Sequence, residues 1–143
     1  MSHHIKGQPR TQATLFPEAL DDFVTDENPV RVIDVFVDSV DLDLLGFEKV
    51  KTKATGRPCY HLGTMLKLYI YGYLNRIQSS RRLEKESHRN VELMWLLERL
   101  TPDFKTIADF RNNNSTGIKN TCRQFVQLCR EMNMFTNVII AID

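Results

Sequence analysis

The sequence has few cysteines, no long apolar run, and no repeated or low-complexity segment. Its three cysteines, an odd number, argue against the disulfide framework of small secreted domains. No stretch approaches the roughly 18 consecutive apolar residues that a membrane-spanning helix requires. Residues 1–10 also lack the apolar core of a secretory signal. We therefore expect a cytoplasmic protein that has no membrane partner.

The composition predicts a packed domain of ordinary size. Hydrophobic residues make up 42% and charged residues 26% of the 143 residues. Those proportions are typical of a globular chain and exclude a disordered one. The motifs predict neither a cofactor in this chain nor a small-molecule ligand.

The charge is distributed unevenly, although the formal net charge is only +1. Residues 1–50 carry four basic and ten acidic side chains, whereas residues 51–89 carry nine basic and two acidic ones. A basic middle in a neutral protein indicates a local surface for a polyanion such as DNA. The alternative is that these side chains are ordinary solvated surface. The nine basic residues are Lys51, Lys53, Arg57, Lys67, Arg76, Arg81, Arg82, Lys85 and Arg89.

Apolar residues recur at helical spacing through most of the chain, so we predict a mainly α fold, a multi-helix bundle. Asn28 followed by Pro29 predicts the start of the first helix, because asparagine caps and proline suits the first turn. The later helices are predicted at residues 62–77, 81–89, 91–100, a short stretch from Thr106, and 115–132.

The last residues differ from the rest of the chain. Residues 138–142 form a β-branched run that predicts a buried strand, and one strand cannot form a sheet by itself. We therefore expect the sequence to stop just inside a second domain. The predicted organisation is an N-terminal arm at 1–27, a helical domain at 28–135, and a first strand at 136–143.

The third predicted helix carries the basic residues of greatest interest. Two of them lie in its first turn, where the helix dipole disfavours cations unless an anion is bound. With the second helix and a short turn at 78–80, it resembles a helix-turn-helix whose second helix enters the major groove. The alternative is a solvated helix on which Glu84 and Glu86 balance the basic side chains. Those basic residues are Arg81, Arg82, Lys85 and Arg89.

Two other segments carry weaker signals. The basic connector with Lys51, Lys53 and Arg57 is predicted to follow the DNA phosphates or to enter a minor groove. The alternative is an ordinary linker. Cys122 and Cys129 lie seven residues apart on one helical stripe. Because no second ligand pair completes a zinc site, they are predicted to be buried structural cysteines.

Several stretches are similar to the InsH-type N-terminal domain of bacterial insertion-sequence transposases. Residues 65–84 (MLKLYIYGYLNRIQSSRRLE) and 90–97 (NVELMWLL) resemble that family, and residues 101–111 (TPDFKTIADFR) resemble its Pro-Asp-x-x-Thr-Ile-x-x-Phe-Arg element. Residues 29–34 and 55–58 also resemble it. The resemblance spans about residues 12–143, almost the whole chain.

The resemblance implies a role in DNA transposition. In that family the helical domain precedes an RNase H-like domain, which cuts and joins DNA with an Asp-Asp-Glu set and Mg²⁺. Asp143 would be the first of these carboxylates and a metal ligand in the full-length context, and the other two are absent here. The implied partners are double-stranded transposon-end DNA and other subunits. We therefore expect a DNA-binding fragment that is not an enzyme by itself. The alternatives are a dimerisation module that uses the apolar second and fourth helices, or an inhibitor of the full-length transposase.

Overall fold

The computed structural model describes residues 4–15, 18–42, 47 and 60–132, and the prediction of a mainly α fold is confirmed there. The strand predicted at 136–143 lies outside these residues. A short 3-10 helix, Leu20–Phe23, comes first. The α-helices that follow are α1 Pro29–Ser39, α2 Leu62–Leu74, α3 Ser80–Arg89, α4 Val91–Leu96, α5 Phe104–Asn113 and α6 Ser115–Glu131.

Helix α1 begins where the sequence predicts. The Asn28 side chain accepts a hydrogen bond from the backbone N–H of Val30 at 3.0 Å, and Pro29 occupies the first turn. These two residues satisfy or remove N–H groups that would otherwise lack a partner. The apolar side of α1 is buried against the rest of the domain through Val30, Ile33, Phe36 and Val37.

Helix α2 lies at the centre of the bundle. Leu66, Leu68 and Ile70 are completely buried, and α2 contacts α1, α4 and α6. A helix that is surrounded by other helices must be apolar on nearly every side. The apolar character of α2 is therefore explained by packing within this one chain.

The C-terminus of α2 lies three residues earlier than predicted. Arg76 takes a left-handed conformation with φ 57°, and the backbone N–H of Ile77 bonds back to the carbonyl of Gly72 at 2.8 Å. This is the Schellman ending of a helix, which satisfies carbonyls of the last turn. The sequence gives no sign of it because the left-handed position is usually glycine and here it is arginine.

Gly72 allows this tight ending, and we predict that Gly72→Ala destabilises the domain. A β-carbon at Gly72 would lie 2.8 Å from the carbonyl oxygen of Ile77 and 3.0 Å from Cδ2 of Leu83. Overpacking of this kind costs roughly 1–3 kcal/mol, and the better helix propensity of alanine offsets about 1 kcal/mol of it. Urea unfolding should show a net loss of up to about 2 kcal/mol.

The control for this experiment is Gly7→Ala, because nothing lies within 4 Å of a β-carbon at Gly7. That variant should unfold like the wild-type protein. Equal stability of the Gly72→Ala variant and the wild type would show that shifting the turn between α2 and α3 costs no more than the roughly 1 kcal/mol that alanine gains in helix propensity.

Two other helix boundaries differ from the prediction. Helix α4 ends at Leu96 and not near residue 100, because Glu98 and Arg99 both take left-handed conformations, with φ 52° and 65°. Helix α5 begins at Phe104, two residues earlier than predicted. Its cap is Asp103, whose carboxylate accepts from the backbone N–H of Thr106 at 2.7 Å.

Part of the segment predicted as an N-terminal arm packs against the helices. Val24 is buried, and the carboxylate of Asp21 accepts a hydrogen bond from Nε1 of Trp95 at 2.9 Å. The guanidinium of Arg31 forms an ion pair with Asp21 at 2.9 Å and lies 4.9 Å from the Trp95 ring centroid. These contacts fix the 3-10 helix to α1 and α4.

Candidate nucleic-acid interface

Helix α3 is exposed along most of its surface. Of its side chains only Leu83 and Ser87 are buried, each 1% exposed. The hydroxyl of Ser87 donates to the carbonyl of Glu84 at 2.6 Å, so Leu83 is the apolar anchor of the helix. Helix α3 packs on α5 and α4, and five residues, 75–79, connect it to α2.

The structure brings four of the predicted DNA-contacting residues together on α3. The N-terminus of the helix is capped by Ser79, whose hydroxyl accepts from the backbone N–H of Arg82 at 3.4 Å. The spacing of the basic residues within ten residues of helix places them on or beside one face. We call this group the α3 basic face, and all four of its side chains are exposed: Arg81, Arg82, Lys85 and Arg89.

One carboxylate lies within the α3 basic face. Glu86, with only 14% of its side chain exposed, accepts hydrogen bonds from Nε and Nη2 of Arg89. It also accepts from the side-chain amide of Asn90 at 3.1 Å. The bonds from Arg89 and Asn90, with the nearby charge of Arg82, hold the pKa of Glu86 below its ordinary value. Glu86 therefore stays ionised and orients Arg89.

The other end of the basic face is supported by an aromatic ring. The guanidinium carbon of Arg81 lies 4.1 Å from the ring centroid of Phe104, the first residue of α5. This distance is well inside the range of a cation–π contact. Sequence reasoning missed this pair because the two residues belong to different helices.

A partly buried hydrogen-bond network connects α3 to the core. The hydroxyl of Tyr71 donates to Glu92 at 3.1 Å and accepts from the side-chain amide of Asn90 at 2.9 Å. Glu92 also accepts from the side-chain amide of Asn28 at 3.0 Å. Burial, together with the negative charge of Glu92, raises the pKa of Tyr71. The tyrosine therefore stays protonated and joins α1, α2 and α4 at the C-terminal end of α3.

Lys67 belongs to the core and not to the basic surface. Its ammonium lies 2.7 Å from Asp34 and 3.0 Å from Asp38, and only 11% of its side chain is exposed. Burial alone lowers the pKa of Lys67, but the hydrogen bonds to the two aspartates outweigh it and raise the pKa overall. The charge count along the sequence therefore overstates the basic surface by one residue.

A cavity of about 550 Å³ lies beside the connection between α2 and α3. Nη1 of Arg111, at the end of α5, donates to the backbone carbonyl of Gln78 at 3.1 Å and so fixes this connection. Tyr73, Ile118 and Cys122 line other parts of the cavity. Arg111, the last residue of the Pro-Asp element, is therefore a structural residue here.

The prediction for the two cysteines of α6 is confirmed, because Cys122 and Cys129 are both buried and unbridged. Burial raises the pKa of each thiol to about 11, which makes thiolate formation unfavourable at neutral pH. Among the described residues, no group of three or more His, Cys, Asp or Glu side chains could hold a metal ion.

Four of the predicted site residues lie outside the described residues: Lys51, Lys53, Arg57 and Asp143. Their roles stay predictions, including magnesium binding at Asp143 in a full-length transposase. None of the described helices is both long and apolar enough to cross a membrane.

Comparison with known proteins gives one match. The model of the family described as Transposase domain (DUF772) matches residues 18–113, about two thirds of the chain. The matched range begins just before the 3-10 helix and ends with α5, so it includes α3 and its connection to α2. Searches of curated proteins and of solved structures found no match. The chain therefore belongs to the transposase domain family DUF772.

Proposed function

We propose that this domain binds double-stranded DNA at transposon ends, with α3 as its recognition helix. The observation that carries the proposal is the α3 basic face: four exposed cations on a helix that Leu83 alone anchors through an apolar side chain. Apart from Leu83, the helix buries no apolar side chain in the core. Its residues are better explained by contact with a polyanion.

The position of the cations on the helix supports this proposal. Arg81 and Arg82 lie in the first turn of α3, where the helix dipole makes two positive charges unfavourable without an anion. A DNA phosphate bound at this terminus would make the two positive charges favourable there. The connection from α2 through five residues to α3 suits a helix-turn-helix, which places the start of its second helix in the major groove.

The proposed role is one part of transposition. Lys51, Lys53 and Arg57 would add contacts to the DNA backbone. Cutting and joining DNA requires several carboxylates that converge on divalent metal ions. We propose that this chain supplies DNA binding, and that Asp143 contributes to catalysis only within a complete Asp-Asp-Glu set in a full-length transposase. A cytoplasmic location is part of the same proposal.

The test is DNA binding measured by fluorescence anisotropy from about 50 to 200 mM salt, comparing the wild type with the Arg82→Ala, Lys85→Ala double variant. Log affinity falls with log salt, and each lost phosphate contact makes that fall less steep by about 0.9. The slope of the double variant should therefore be less steep than that of the wild type by about 1.8. Its affinity at low salt should be about ten- to hundredfold weaker.

The matched control removes the same two charges from α6, where Lys119 and Arg123 are exposed and four residues apart. The Lys119→Ala, Arg123→Ala variant should bind DNA nearly as well as the wild type. Equal losses in both double variants would mean that only net charge matters. Absence of wild-type binding at low salt would leave subunit assembly as the better account of the domain.

Assembly is the second candidate, and the fold does not favour the surface predicted for it. The apolar residues of α2 and α4 that would form such an interface, including Leu66, Leu68 and Leu93, are completely buried within the chain. Self-association, and inhibition of a full-length transposase through it, would need a different surface.

A further inference from the structure

Phe104 is an exposed aromatic residue beside the α3 basic face. Its side chain is 38% exposed although it is large and apolar, and its ring lies 4.1 Å from the guanidinium carbon of Arg81. Phe104 is the first residue of α5, and α5 packs directly on α3. Phe104 is not among the residues that pack against the hydrophobic core, and its ring contacts Arg81.

A ring beneath a guanidinium restrains it without occupying its donors. The attraction acts on the flat face of the guanidinium, while its five N–H groups point outward in the plane. Arg81 is thus held in place and still able to form two parallel hydrogen bonds with a phosphate or the edge of a guanine. Arg89 differs, because Glu86 already occupies its Nε and Nη2 donors.

We infer that Phe104 is a positioning residue that holds Arg81 ready for contact with DNA, so that α5 contributes to recognition as well as α3. The inference rests on the proposed DNA-binding function. Binding a ligand with a flexible arginine costs conformational entropy, and a side chain already ordered in the unbound protein avoids much of that cost. Arg81 also lies in the first turn of α3, the part of a recognition helix that approaches the bases and nearby phosphates.

The experiment is a double-mutant cycle on DNA affinity with Phe104→Leu, Arg81→Ala and the double variant. Leucine keeps an apolar side chain but has no aromatic face. Phe104→Leu should weaken binding about two- to fivefold, the effect of losing an exposed cation–π contact. In the Arg81→Ala background the same change should have no further effect.

Two controls separate positioning from a general structural effect. Phe104→Trp should bind DNA as tightly as the wild type or more tightly, because tryptophan is the strongest cation–π partner. Phe23→Leu changes another exposed phenylalanine, 56% exposed on the 3-10 helix, and should not alter affinity. Thermal unfolding should show that all variants are folded at the temperature of the binding assay.

Tighter binding by Phe104→Leu would overturn the inference, because it would mean that the ring competes with DNA for Arg81. Equal weakening by Phe104→Leu with and without Arg81 would overturn it too, since the ring would then act independently of the arginine. Either result would leave the proposed function intact as long as the wild type binds. A wild-type protein that does not bind DNA would overturn both.

Discussion

We expect Leu83→Ala to lower the free energy of unfolding by about 2–5 kcal/mol, the usual cost of removing a buried leucine side chain. Leu83 is 1% exposed, and its side chain lies beside Gly72 of α2. Alanine would leave a void at that point, and no other large apolar side chain of α3 is buried that could fill it. Urea denaturation followed by circular dichroism measures the loss.

The same variant tests whether the position of α3 matters for DNA binding. Leu83→Ala leaves every cation of the α3 basic face in the sequence, yet it removes the contact that holds the helix in place. We expect weaker DNA binding at a temperature at which the variant is still folded. Unchanged affinity, together with the expected loss of stability, would indicate that the cations act without a fixed helix. The control is Leu100→Ala, because Leu100 is 42% exposed and its truncation should cost less than about 0.5 kcal/mol.

The starts of the helices could be predicted from the sequence because a cap acts locally. Helices are predicted to begin after Asn28 and at residues 81 and 91. The caps found there are Asn28, Ser79 and Asn90, and each accepts a hydrogen bond from a backbone N–H two or three residues later. Such a cap depends on one side chain and on the next few residues of backbone. The start of α5 was the exception, although Asp103 is an equally good cap.

The ends of α2 and α4 could not be predicted in the same way. Both helices end where residues other than glycine take left-handed conformations, at Arg76 and at Glu98 and Arg99. Such a conformation costs free energy for these residues, and only the surrounding fold stabilises it. At the end of α2, the carbonyl of Ile77 and the side chain of Leu83 leave no room for a β-carbon at Gly72. This constraint involves a residue eleven positions away along the sequence.

The candidate site shows the same division between local and tertiary information. Helical spacing was enough to place Arg82, Lys85 and Arg89 on one exposed face. The burial of Lys67 between two aspartates of α1 required the packing of α1 on α2. Likewise the stacking of Arg81 on Phe104 required the packing of α5 on α3, which no periodicity along the sequence reveals.

The second large effect is expected from Phe125→Ala, which should cost about 3–5 kcal/mol of unfolding free energy. Phe125 lies in α6, is completely buried, and has its ring centroid 5.2 Å from that of Phe36 in α1. Helix α6 begins at Ser115, just beyond residue 113 where the match to the transposase domain family ends. The burial of Phe125 therefore indicates that the folding unit extends past the matched range.

Truncation after residue 113 tests the same argument without a substitution. It would expose Phe36 on α1, whose ring contacts Phe125, and the part of α2 that contacts α6. We therefore expect the shortened chain to lack a cooperative unfolding transition. Phe23→Ala is the control, because Phe23 is 56% exposed and its loss should cost less than about 1 kcal/mol. If Phe125→Ala were as stable as Phe23→Ala and the truncated chain still bound DNA, α6 would be unnecessary for the folding and the DNA binding of the rest of the domain. Loss of stability in Phe125→Ala, together with loss of the proposed DNA binding in the truncated chain, would instead mean that α6 supports α3 indirectly, through α5, which contacts both helices.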